Sequence, residues 1–181
     1  RDQQIKQQPY GARFYKADLH FHTPASEDAR GKNRYNFNPY RTVKYPDNDH
    51  SFEYHQKVRA VQEQVLREAR GIAEKIVDRF IAEQIGLVAI TDHNGIGTIW
   101  PDPEDPAGRS MDLAAPTWYE LIGDEAERRN HQAGRRVLTI LPGTEISTNG
   151  VHILAVLPPM TPRRQAHFII SALRSEERRV G

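Results

Sequence analysis

One long amphipathic stretch limits most what this chain can fold into. From about Phe52 to Gln84 the apolar residues Val58, Val61, Val65, Ala69, Ile72, Ile76 and Phe80 recur at helical spacing. The pattern predicts a single helix, weakened at Gly71 and ended by Gly86. Strand signals bracket it. Residues 13–21 alternate well enough for a strand, and Leu87-Val88-Ala89-Ile90 is a short apolar run of the kind buried on both faces of a sheet.

The remaining elements extend that alternation. Thr117-Trp118-Tyr119-Glu120 has the spacing of a capping box and starts a second helix, which Gly134 ends. Residues 137–141 read as a third strand closed by Pro142-Gly143, and residues 151–157 as a fourth. Thr161-Pro162 opens a last helix with Ala166, Ile169, Ile170 and Leu173 on one face. Residues 24–51 and 101–116 read as loops, and residues 1–12 as a polar lead-in. Strands alternating with helices favour an α/β fold with a mostly parallel sheet or barrel. At 181 residues the chain is long enough for one domain with a core.

The polar residues gather where strands end. Asp18, His20 and His22 occupy alternate positions, so a strand would project them to one side. Two imidazoles so placed can bind one divalent cation, and two solvated histidines on a strand are the competing reading. Thr91-Asp92-His93-Asn94-Gly95 follows the buried strand directly, at the edge where α/β active sites assemble. There Asp92 either orients His93 through a ring nitrogen or satisfies a turn. Glu145 follows the third strand, and His152 opens an otherwise apolar fourth. For His152 a hydrogen-bonded core histidine is the alternative. The chain has no cysteine, which excludes disulfides, thiolate-bound zinc and a thiol nucleophile.

Four motifs in order, Asp-Leu-His-Phe-His-Thr, Ile-Thr-Asp-His-Asn, Pro-Gly-Thr-Glu-Ile-Ser and His-Ile-Leu, resemble those of the PHP (polymerase and histidinol phosphatase) family over about residues 13–157. The resemblance implies a distorted TIM-like barrel with seven strands, of which this chain carries the N-terminal part. It implies two or three divalent ions (zinc, manganese or iron) and hydrolysis of a phosphomonoester or phosphodiester. By that resemblance His20 and His22 hold one metal, Glu145 bridges it to a second, and His152 ligates the second. His93 with Asp28 would hold a third. Asp18 and Asp92 would support the ligands from behind. A phosphorylated small molecule or a nucleic-acid end is the implied substrate.

Two departures qualify the expectation. The family closes its site with a late His and a final Asp-x-His, but no Asp-x-His follows Asp124, the last aspartate here, and His167 is the only histidine after His152. The ends of the chain, at Arg1 and at Arg179-Val180-Gly181, read as cuts, so a C-terminally truncated domain is expected. An insertion at about residues 24–84 also sets His22 far from His93. That layout resembles PHP domains fused ahead of an AAA or SMC-type ATPase. Lys32, Arg34, Tyr35, Phe37, Tyr40, Arg41 and Lys44 interleave basic and aromatic residues in the insertion. They either hold phosphates and bases or pack on the barrel rim. The pairs Arg128-Arg129 and Arg135-Arg136 read as solvated helix ends, and His50, His55 and His131 as surface. With no secretory opening and no membrane-length apolar run, a cytoplasmic protein without membrane contact is expected. Two other functions fit the same residues. One is a non-catalytic PHP-like module that binds metal or phosphate and regulates a fused partner. The other is a metal-dependent hydrolase of another barrel family whose site opens with His-x-His.

Overall fold

The first described strand, β1 (Lys16–Phe21), leads through a polar connection to the long helix α1 (Phe52–Ala82). The structure is a computed structural model that describes residues 15–26, 37, 43–93, 97–104, 114–148 and 151–158. The lead-in 1–12, Asp28, the helix expected after Thr161 and most of the basic-aromatic insertion fall outside those residues. After α1 come β2 (Ile85–Ile90), α2 (Trp118–Ala133), β3 (Thr139–Thr148) and β4 (Val151–Val156). The strands lie in the order β1-β2-β3-β4 as a curled, half-barrel sheet. β1, β2 and β3 run parallel, and β4 returns antiparallel to β3.

Helix α1 forms where its apolar stripe demands. Ser51 caps it, its hydroxyl accepting the N–H of Tyr54 at 3.0 Å. Tyr54, Val58, Val65, Ala69, Ile72, Ala73, Ile76, Val77 and Phe80 are buried along one face. Each fully buried Val, Ile or Phe side chain stabilises the fold by about 1.5–3 kcal/mol. The helix stops at Ala82, before Gly86, and Gln84 takes the left-handed conformation in the turn. Gly86 instead lies inside β2, where a Cβ would fall 2.7 Å from the Tyr15 ring. It is there for the close approach of β1, and the register between the strands slips at that point.

Helix α2 follows its sequence signals. Thr117 Oγ1 accepts the Glu120 N–H while Glu120 Oε2 accepts the Thr117 N–H, and Gly134 closes the helix at φ 61°. Asn130 then clamps the helix to β3. Its Oδ1 accepts the N–H groups of Val137 and Leu138, and its Nδ2 donates to the Leu138 carbonyl. On the neighbouring turns Arg128 is exposed, as expected, while Arg129 is partly buried. Both bond Glu125, and Arg129 reaches Asp78 on α1 at 2.8 Å. Those contacts pull Glu125 below the usual carboxylate range, the Arg128 bond being the largest cause. Phe37 is buried and meets Trp118 edge-on, at 5.8 Å between centroids. That is the rim-packing alternative for this one residue of the insertion; Lys44 is exposed.

β3 is the element that differs most from expectation. Pro142-Gly143 does not close it; the strand runs on to Thr148. Residues up to Pro142 pair with β2, and residues from Gly143 onward pair with β4. Proline has no N–H to give a ladder, but at a handover between partners its carbonyl suffices, and here it accepts from Leu157. At Gly143 a Cβ would lie 2.8 Å from the Ala155 carbonyl and 3.1 Å from that of Ile90. The strand can be squeezed between two neighbours only because that residue is glycine. β4 is not a buried strand: Ile153, Leu154 and Val156 are all exposed. No helix among the described residues is long and apolar enough to cross a membrane.

Candidate metal centre

The handover at Pro142 carries Glu145 into the middle of the sheet, where its side chain is 1% exposed. Its Oε2 lies 2.7 Å from His20 Nε2 and 2.8 Å from His22 Nε2. The same oxygen lies 3.6 Å from His93 Nε2. Its Oε1 meets His152 Nδ1. Ser147 pairs with His152 across the hairpin, which puts His152 diagonally beside Glu145 on one face. The residues expected at the strand ends, His20, His22, His93, Glu145 and His152, therefore meet around one carboxylate.

Two groups of three donors result, His20–His22–Glu145 and His93–Glu145–His152, and within each the ligand atoms lie within 4.8 Å of one another. The tighter group spans 2.7 to 3.0 Å, counting the His20–His22 ring contact. Nitrogen and oxygen ligands about 2.1 Å from a tetrahedral zinc stand roughly 3.4 Å apart, so the donors need to open only slightly to admit an ion. Donors of this kind, all imidazole and carboxylate, suit zinc, manganese or iron. The residues present thus fit a divalent cation. His20 and His152 are about half exposed, at 49% and 56%, while His93 is 7% exposed. The cluster has a buried floor and an open rim. His93, which the family resemblance assigned to a third ion with Asp28, here shares Glu145 with His152.

The supporting carboxylates have other partners than expected. Asp18 Oδ1 accepts the backbone N–H of its neighbour His20, beside a second slip in the β1–β2 register. Asp92 directs both carboxylate oxygens to Thr23. Its Oδ1 accepts the Thr23 N–H at 2.7 Å and its Oδ2 the Thr23 hydroxyl at 2.6 Å. Burial pushes the Asp92 carboxyl up to about 6, against the pull of those two bonds. Ser26 Oγ lies 3.3 Å from His22 Nδ1, an outer contact that leaves Nε2 to face Glu145.

The sequence does not announce the bond of Thr23 to Asp92, or the parts of Ser26 and Gly97. The only signal for Ser26 was its place four residues after His22, in a turn that Thr23 nucleates by accepting the Ala25 N–H on its hydroxyl. His50, His55 and His131 are exposed, as expected. No protein-family model, curated protein or solved structure matches this chain.

Proposed function

We propose that this chain is part of a PHP-type barrel that hydrolyses a phosphomonoester or phosphodiester with divalent metal ions. The observation that carries this reading is Glu145, a buried carboxylate whose two oxygens serve different histidines. Burying a carboxylate costs several kcal/mol unless strong partners replace its water, and a pair of cations is the strongest replacement four imidazoles can recruit. In this reading His20 and His22 hold one ion, His93 and His152 hold another, and Glu145 serves both. Ions held there supply Lewis acidity to phosphate oxygens and make water nucleophilic at neutral pH.

The residues of the chain do the rest. Glu145 and His93 form the water-poor floor. His20 and His152 stand at the open rim, where a phosphorylated small molecule or a nucleic-acid end can approach. No side-chain nucleophile is needed, consistent with a chain that has no cysteine. The PHP resemblance would instead give His93, with Asp28, to a third ion, and it adds an ATPase domain outside this chain.

Ligands alone bind, so a non-catalytic module that holds metal or phosphate would present the same five residues. Turnover separates the two readings. The full-length protein, loaded with manganese or zinc, should hydrolyse p-nitrophenyl phosphate or bis(p-nitrophenyl) phosphate, and the double change His20→Ala, His22→Ala should abolish that turnover. Metal binding without turnover would select the regulatory module. Turnover that survives the double change would remove the phosphoesterase reading.

A further inference from the structure

Asp92 touches the segments that bring His22, His93 and Glu145 to the cluster. Its carboxylate holds both donors of Thr23, the residue after His22. Its main-chain carbonyl accepts the N–H of Glu145 at 3.1 Å and the hydroxyl of Thr144 at 3.0 Å. It directly precedes His93, which bridges to Glu145 in the sheet. The three bonded partners are buried: Thr23 and Thr144 are 0% exposed and Glu145 is 1%.

The chemistry of this junction asks for a carboxylate. Thr23 presents two donors, and its hydroxyl already accepts the Ala25 N–H at 3.2 Å. An amide at position 92 would offer one acceptor and turn an NH2 group to that hydroxyl, leaving the hydroxyl hydrogen without its acceptor. Such a loss in a buried place is costly. Gly97 closes the junction from above: it has φ +60°, and a Cβ there would collide with Asp92 Oδ2.

We infer that Asp92 is a positioning residue that, through Thr23 on one side and the Glu145 backbone on the other, sets the distance between the His20–His22 pair and Glu145. It touches no ion itself. The inference rests on the metal-centre reading for its consequence, but the spacing it describes exists without metal.

The test uses Thr23→Val, which removes the hydroxyl, and Thr23→Ser, which keeps it. Cobalt(II) is the probe, because its visible spectrum reports coordination geometry. Thr23→Val should weaken cobalt binding at the His20–His22 side about 10- to 100-fold and change the spectrum, as loss of outer contacts to metal ligands does elsewhere. Thr23→Ser should restore both. In the metal-free protein, the ring 15N resonances of His22 should shift in Thr23→Val and not in Thr23→Ser. Asp92→Asn, which keeps the side-chain shape, is the second variant should Thr23→Val not fold, and should show the same two changes. His22 resonances and cobalt affinity both unmoved in the folded variant would overturn the inference. A wild-type protein without phosphate-ester turnover would count against the phosphoesterase reading alone, because neither readout here depends on turnover.

Discussion

The two halves of this sheet obey different rules. Against α1 and α2 it is apolar: Val88, Ile140, Ile122, Ile76 and Val77 are all buried, and the polar groups there are few and clamped, as at Asn130. Toward the strand ends the buried polar groups are Thr23, Thr91, Asp92, Thr144 and Glu145. The first half is what hydrophobic burial produces unaided. The second spends stability on fixing charges and imidazoles in one place. The contrast teaches that the helices build the scaffold while the irregularities of the strands, at Gly86, Pro142 and Gly143, aim the ligands.

Substitutions in each half should therefore fail in different ways. The largest effect is expected at Glu145. Glu145→Gln should lose metal binding and turnover together, yet leave the metal-free protein folded, and at neutral pH equally or more stable because a buried charge is gone. Metal analysis beside urea unfolding would check this; a variant that unfolds outright would erase the contrast. Ile122→Ala, in the helix-backed half, should do the reverse, costing about 2–5 kcal/mol of unfolding free energy while the folded fraction binds metal normally. Asn130→Ala should cost about 1–3 kcal/mol, since the backbone groups of Val137 and Leu138 lose their partner, with metal affinity again unchanged.

The sharpest division of legible from illegible falls within single elements. α2 was readable from its ends, because a capping box and a C-terminal glycine act within one turn of the chain. Gly86 and Pro142-Gly143 misled for a shared reason. Each looks like a local stop, but each serves a contact with a distant strand: Tyr15 for Gly86, Ile90 and Ala155 for Gly143. The cluster was legible as five residue types at strand ends because strand alternation and parallel crossovers are themselves short-range rules. The Thr23–Asp92 pair was not, since its members stand 69 residues apart and neither has a motif that announces the other. Nor did alternation foresee where Asp18 turns, because it assumes a regular strand and β1 slips beside that residue.

A smaller effect belongs to the helix-backed half and depends on pH. The Glu125 carboxyl is held below its ordinary value of 4.5, chiefly by Arg128. A carboxylate with a lowered folded-state pKa adds stability above its unfolded pKa and loses it as pH falls through the folded one. Wild type should therefore lose stability below about pH 4.5 that Glu125→Gln never had, narrowing the gap between them on the acid side. Unfolding midpoints from pH 7 to pH 3 would show it, and parallel curves would contradict it.

Metal content tests the central claim most directly. The protein, stripped with chelator and titrated with zinc or manganese, should bind two ions per chain, with Glu145→Gln removing both and His20→Ala, His22→Ala removing one. A wild-type chain that binds no divalent ion, or binds them unchanged after Glu145→Gln, would contradict the account.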